Sequence, residues 1–208
     1  VVLIDMDCFF CQVETKLQPQ YAGKPLAVEG KIMFAVNYEA REYGVTRHMR
    51  GKEAKEKCPD LILVSVPCHR YRSAGCEVIN VIKEHCNIIE RASVDEAYLD
   101  ITDMVHKTGL IVEKIRADIF DKIGFKCSAG IAQNKILAKL ACGLHKPNRQ
   151  TILPAAAVLT LYSTLPIKKV RNLGGKFGHI VTESLNCNVM GDLLQYPLQY
   201  LQKRFDEK

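Results

Sequence analysis

The segment Glu90-Arg91-Ala92-Ser93-Val94-Asp95-Glu96-Ala97-Tyr98-Leu99-Asp100 sets two acids at a corner between two apolar stretches. Residues 88–91 and 97–101 have the β-branched and aromatic content of strands, and the acidic corner between them suggests an antiparallel hairpin. Elsewhere strand-like and helix-like stretches alternate, a pattern that alone would favour a parallel sheet. The hairpin shifts the expectation to an α+β body, followed by an all-helical module from about residue 154.

Working outward, residues 1–5 form a β-branched, apolar strand that ends in acid, and 9–17 have helical character. Residues 24–28 and 32–38 read as strands around Glu29-Gly30, 40–43 and 52–57 as short helices, and 61–66 as a further strand. Apolar positions at helical spacing mark 71–86 and 110–123, with a strand over 126–132. Asn134 is placed to cap a helix that runs through Leu144 and stops before Pro147. Beyond Pro154, short helices are broken by Pro166, Gly174-Gly175 and Pro197.

At 208 residues and 48% hydrophobic content, the chain can bury one good core and a satellite. No run approaches the ~18 apolar residues of a membrane span, and no secretory signal opens the chain, so a soluble intracellular protein is expected. Nine cysteines, odd in number and scattered, do not make a disulfide framework. The pair Cys8 and Cys11 has no second pair at zinc spacing, which leaves ordinary buried thiols. The net charge of +6 is unevenly placed. Residues 1–134 hold 18 Lys/Arg against 19 Asp/Glu, whereas 135–208 hold 11 against 4. The excess in the last third suits a polyanion, or on charge alone a solvated basic face.

Asp5 ends a buried strand, and Asp95 and Glu96 sit at the corner of another pair. Carboxylates there are costly unless paired, and hard divalent cations pair with them well. Solvated strand-end acids are the plain alternative. Alternation along a strand would put Asp5 and Asp7 on one face and make both ligands. If the strand ends at Met6, Asp7 can instead cap the following helix.

Five segments occur in order: DMDCFF at 5–10, NYEAREYGVTR at 37–47, ERASVDEAYLD at 90–100, CSAGIAQNKILAKLACGLHKPNRQT at 127–151 and LGGKFG at 173–178. Together they closely resemble the Y-family DNA polymerases over nearly the whole chain. The resemblance implies a palm with an antiparallel sheet and helices over 1–8 and 71–153. It also implies a small α/β fingers domain over 9–70 and an all-helical thumb with a helix-hairpin-helix over 154–208, without the little-finger domain. Asp5, Asp95 and Glu96 match the family's metal-binding carboxylates and the Met6 carbonyl a further ligand, for two Mg²⁺ ions with Mn²⁺ as a substitute. Asp7 is not a ligand in the family.

By the same resemblance, Phe10 is the steric gate that excludes a 2′-hydroxyl, with Phe9 beside it. Taken alone, both rings would be core packing. Tyr38, Arg41 and Arg47 match residues that hold the incoming triphosphate, as do Lys139 and Lys146. Guanidinium forks and ammonium groups suit phosphate oxygens. Lys135, Lys139 and Lys146 share one helical face save that Pro147 ends the helix near the last. Lys168, Lys169, Arg171, Gly174, Gly175 and Lys176 lie where the hairpin would grip DNA phosphate without reading bases.

The expected activity is template-directed addition of deoxynucleotides to a primer 3′ end, with bypass of lesions such as UV photoproducts, in the nucleus. Primer–template DNA and deoxynucleoside triphosphates are the implied partners, with no membrane. Sliding-clamp and ubiquitin contacts are expected only through regions outside these 208 residues. The chain opens inside its first strand, which implies a missing N-terminus. It is shortened after Val28, around residues 66–70 and between Asp103 and Gly109. The first gap removes the family's glutamine facing the templating base. The alternatives are a catalytically impaired DNA-binding fragment or scaffold of the same family, and a palm-type nucleotidyl cyclase, which would need no basic last third.

Overall fold

The computed structural model describes residues 1–65 and 69–205. Its centre is a five-stranded sheet in the order β5-β6-β1-β7-β8, built from Ile89–Arg91, Glu96–Leu99, Val2–Met6, Cys127–Ile131 and Gln150–Ile152. The hairpin is as expected: β5 and β6 pair antiparallel through Ile89↔Leu99, Glu90↔Tyr98 and Arg91↔Ala97. β1 is antiparallel to both neighbours, but β8 runs parallel to β7, so the sheet is antiparallel except at that edge. β8 was not foreseen in the sequence, since three residues after a proline-containing loop carry no periodicity.

β1 is buried on both faces, and its alternation sorts the core. Val2, Ile4 and Met6 pack in one cluster with Val78 and Ile82 of α4 (His69–Lys83) and Ile115 and Ile119 of α5 (Thr108–Ile123). Leu3 points the other way, into a cluster with Tyr98 of β6 and with Ala138 and Cys142 of α6 (Lys135–Leu144). The sheet is thus covered on both faces, and the odd positions of β1 face α6. Asn134 caps α6 as expected, its side chain accepting from the Leu137 amide at 2.9 Å.

A second sheet, β3-β2-β4, is formed by Met33–Val36, Leu26–Glu29 and Ile62–Ser65, with β2 antiparallel to β3 and parallel to β4. α1 (Phe9–Leu17) leads towards it, and α2 (Tyr38–Glu42) and α3 (Gly51–Lys57) belong to it. Its own core gathers Ala27, Met33, Val36, Ala40, Val45, Ala54 and Leu61. The end of the strand expected over 61–66, and part of the shortening around 66–70, fall outside the described residues. The remainder is helical: α7 (Ala155–Tyr162), a 3₁₀ turn Ile167–Lys169, α8 (Lys176–Leu185), a 3₁₀ stretch Met190–Gln195 and α9 (Leu198–Phe205). Ile167, Val181, Leu185 and Cys187 form its separate core. The α+β body with a helical C-terminal module is therefore observed.

No helix among the described residues is long and apolar enough to cross a membrane. The eight described cysteines are all free thiols, and burial raises Cys8, Cys127 and Cys142 to about 12.

Candidate active site

Asp5 and Glu96 are direct cross-strand partners on β1 and β6, so their side chains share the α6 face of the sheet. Two like charges so placed repel each other. Lys139, one turn into α6, resolves this: its Nζ donates to Asp5 Oδ2 at 2.8 Å and to Glu96 Oε1 at 2.6 Å. Burial alone would lower the Lys139 pKa, but the two carboxylates outweigh it and the net shift is upward. Lys146, just past the end of α6, donates to Asp5 Oδ1 at 2.6 Å, and its pKa is likewise raised by Asp5 and Asp7 against the effect of burial.

α6 can reach so deep because Gly130 faces it from β7. A Cβ at that position would stand 1.9 Å from the Ala138 carbonyl oxygen and 2.4 Å from the Cys142 nitrogen. Helix and strand therefore touch backbone to backbone, which only glycine permits. A similar closeness sets the acidic corner against α4, where a Cβ on Gly75 would lie 2.2 Å from the Val94 carbonyl oxygen. Asp95 is tied into that corner, accepting from Ser93 Oγ at 2.6 Å, while its carbonyl receives the Met6 amide at 3.0 Å.

These groups line a cleft of about 730 Å³ between the two sheets. Its walls bring together Asp5, Met6, Asp95, Glu96, Phe9, Phe10, Tyr38, Arg41, Arg47, Lys139 and Lys146, every site residue expected outside the helical module. Tyr38 and Arg41 come from α2, whose cap Asn37 accepts from the Ala40 amide at 3.0 Å and from the Leu26 amide at 2.9 Å. The Arg41 guanidinium lies over the Tyr38 ring at 4.5 Å. The Tyr38 hydroxyl is buried with no hydrogen-bond partner, an orphan donor beside the cleft. Phe10 stacks on Tyr71 of α4, ring centres 4.0 Å apart and planes within 18°, and the Tyr71 hydroxyl donates to the buried Glu14 at 2.8 Å. Phe9 is nearly all core, its ring edge-on to Phe125.

Three site features had no signal in the sequence. Tyr71 and Glu14 behind Phe10 are one. The apolar lining from Phe34, Ala35 and Val45, with Cys8, Thr46 and Gly143, is another. The third is the setting of Asp7. It does not cap α1, whose N-cap is Cys8 in left-handed conformation without a side-chain bond. The chain turns at Cys8, and the Asp7 carboxylate is bound instead to Ser128 and Asn148. Lys135 also leaves the lysine row, pairing with Glu90 and lying over the Tyr98 ring.

Lys168, Lys169, Arg171, Gly174, Gly175 and Lys176 are all exposed and lie between the 3₁₀ turn and the start of α8, away from the cleft lining. Gly175 is the N-cap of α8.

The donor set suits a hard cation. Asp5 and Glu96 already converge on one positive group, and their ligand type is carboxylate oxygen. Asp95 would join them by turning from Ser93. Among the described residues no three His, Cys, Asp or Glu side chains form a ready cage, and two lysines occupy Asp5 and Glu96.

A sheet bearing paired acids, clasped by lysines on and just past a covering helix and faced by a small second sheet, makes a two-sheet body with a basic helical appendage. The chain belongs to the impB/mucB/samB family, whose profile matches residues 4–143, and thus to the Y-family DNA polymerases. A second profile, the helix-hairpin-helix motif of DNA polymerase eta and Rev1, matches residues 165–208. The chain is 40% identical to DNA polymerase eta of Drosophila melanogaster, covering all of this chain and 33% of that protein. It is 38% identical to DNA polymerase eta of Arabidopsis thaliana, covering 97% of this chain and 40% of the other. With DNA polymerase IV of Shewanella oneidensis the identity is 39%, covering 99% and 59%. Among solved structures, an insertion ternary complex of Dbh DNA polymerase superposes with TM-score 0.87 at 32% identity, covering 98% of this chain and 62% of that one. DinB from Sulfolobus solfataricus superposes with TM-score 0.84 at 32% identity, covering 99% and 63%.

The chain thus spans between one third and three fifths of the length of these curated relatives. The Drosophila alignment runs over 291 positions against 208 residues here, so that relative carries inserted stretches, whereas the Shewanella alignment runs over 213. In its connections the chain has the economy of the polymerase IV relatives.

Proposed function

We propose that the chain is the catalytic part of a template-directed DNA polymerase that adds deoxynucleotides to a primer 3′ end and continues past damaged bases such as UV photoproducts. The five-stranded sheet with its helices (1–8 and 71–153) is the palm, residues 9–70 the fingers and 154–208 the thumb. The observation that carries this reading is the Asp5–Glu96 cross-strand pair under Lys139, facing Tyr38, Arg41 and Arg47 across one cleft.

Asp5, Asp95, Glu96 and the Met6 carbonyl would hold two divalent cations, Mg²⁺ by preference. When bound, these supply activation of the attacking 3′-hydroxyl and charge neutralisation on the leaving pyrophosphate. The chain's own side chains do the rest. Arg41, Arg47 and the orphan Tyr38 hydroxyl offer donors to triphosphate oxygens. Lys139 and Lys146 are charged throughout the neutral range and pass from carboxylate to phosphate partners as the triphosphate enters, so positive charge is in place where negative charge develops. Phe10, backed by Tyr71, forms a floor under the sugar that a 2′-hydroxyl would strike. The exposed glycines and basic residues at the start of α8 hold the DNA backbone by amide and ammonium contacts.

Primer–template DNA and deoxynucleoside triphosphates are the substrates of this reading, and the eta relatives support a nuclear setting. The experiment is Mg²⁺-dependent primer extension opposite a thymine dimer by this chain followed by the C-terminal region of the Drosophila relative. Extension that Asp95→Ala abolishes supports the reading, and failure to extend even undamaged template refutes it.

A further inference from the structure

Asp7 is 2% exposed, and the partners of its carboxylate are all donors. Ser128 Oγ donates to Oδ1 at 2.8 Å and reaches Oδ2 at 3.1 Å. The Asn148 amide donates to Oδ2 at 2.7 Å, and Lys146 Nζ stands 3.5 Å from Oδ1. Its backbone is pinned as well, the amide to Lys126 and the carbonyl by the Gln12 side chain. The residue lines not the main cleft but a second cavity of about 530 Å³ on the far side of Cys8 and Tyr38. It is not part of the cleft lining and meets it through Lys146, which is.

What it holds is the segment carrying Lys146. α6 ends at Leu144, so no helix positions that lysine, and its four-carbon stem is costly to order. Asn148, two residues on, adopts a left-handed backbone (φ +53°). It is gripped from both sides, by Asp7 at its amide and by Arg116 at its side-chain oxygen, 2.8 Å away. Arg116 is itself fixed to the Cys127 carbonyl at 3.0 Å. Ser128 is the β7 partner of Asp5, so the anchor is tied to the strand position of the catalytic acid.

We infer that Asp7 is a positioning residue which, through Asn148 and Ser128, fixes the 146–148 segment so that the Lys146 ammonium stands at the triphosphate side of the cleft. The inference rests on the nucleotidyl-transfer reading for what Lys146 contacts, but not for the anchoring itself. A carboxylate suits this place because both of its oxygens accept, whereas an Asn amide turns its NH₂ either towards the Asn148 amide or towards the Lys146 ammonium, neither of which accepts.

The test is a double-mutant cycle on the 208-residue chain, read by equilibrium binding of a deoxynucleoside triphosphate with Mg²⁺. Asp7→Asn should weaken binding about tenfold in the wild-type background, the scale of a lost charged hydrogen bond. In a Lys146→Met background the same change should cost less than about twofold, because positioning acts through that lysine. Equal losses in both backgrounds, or no loss in the first, overturn the inference. Ser128→Ala, which keeps the Asn148 bond, should give about threefold with the same non-additivity, and serves if Asp7→Asn does not fold. Hydrogen exchange at the Asn148 amide reads the anchor without nucleotide: at least about tenfold faster exchange in Asp7→Asn is expected, and unchanged exchange refutes the anchor. If the wild-type chain binds no triphosphate, the functional reading fails while the exchange result still decides the anchoring.

Discussion

Asp5 and Glu96 stand opposite each other on β1 and β6, and one ammonium, that of Lys139, bridges them at 2.8 and 2.6 Å. The lysine and a hard cation therefore compete for the same oxygens. Lys139→Met should lower stability without divalent cation by about 1–3 kcal/mol, between the exposed and buried ion-pair ranges. Added Mg²⁺ should then raise the melting temperature of the variant more than that of the wild type. Thermal melts with and without Mg²⁺ check this, and an equal response in both proteins counts against shared oxygens.

Close backbone contact at Gly130 sets the height of α6 over the sheet. Gly130→Ala should cost about 3 kcal/mol or more, since the obstacle is backbone and not a side chain that can rotate away. Urea unfolding measures the loss. A change under about 1 kcal/mol would mean that the helix can lift freely, at odds with the packing described.

Behind Phe10, the Tyr71 ring and its bond to Glu14 make a two-layer support. Phe10→Ala should reduce discrimination against ribonucleotides by about tenfold or more, and Tyr71→Leu should reduce it less, since the gate ring remains but loses its backing. Tyr71→Phe leaves discrimination near wild type yet strips the buried Glu14 carboxylate of its shorter donor, leaving Arg70 at 3.5 Å, at about 1–3 kcal/mol of stability. Competing deoxy- and ribonucleotide insertion gives the first two numbers, and denaturant unfolding the third.

Burial raises Cys127 and Cys142 to about 12, so at pH 8 about one molecule in ten thousand carries either thiolate, against about one in four for a free thiol. Because the thiolate is the nucleophile, iodoacetamide at pH 8 should modify the exposed Cys76 well before Cys127 and Cys142, which stay intact in the folded chain. Mass spectrometry of the labelled peptides checks the order. Rapid labelling of Cys142 would show that α6 does not stay seated on the sheet.

The hairpin at 90–100 was legible because an acidic corner between β-branched runs has few alternatives, and it carried the α+β class with it. The acids themselves were legible as residues at strand ends, but not as a site. Their convergence depends on the Asp5↔Glu96 register and on a helix more than forty residues away. Alternation misled at Asp7. Its true partners, Ser128 and Asn148, lie 121 and 141 positions along the chain, beyond any local pattern. The same holds for Tyr71 under Phe10. Gly130 was the one overlooked clue, since a glycine inside a buried strand marks a place where another backbone comes close.

The nucleotidyl transfer proposed for the cleft runs through Asp5 and Glu96. Its most direct test is single-turnover insertion of one deoxynucleotide on an undamaged primer–template with Mg²⁺, comparing wild type with Glu96→Gln in the chain extended by the relative's C-terminal region. The insertion rate of Glu96→Gln should drop about a thousandfold or more, with DNA affinity within about twofold of wild type. A variant that inserts at the wild-type rate would contradict it.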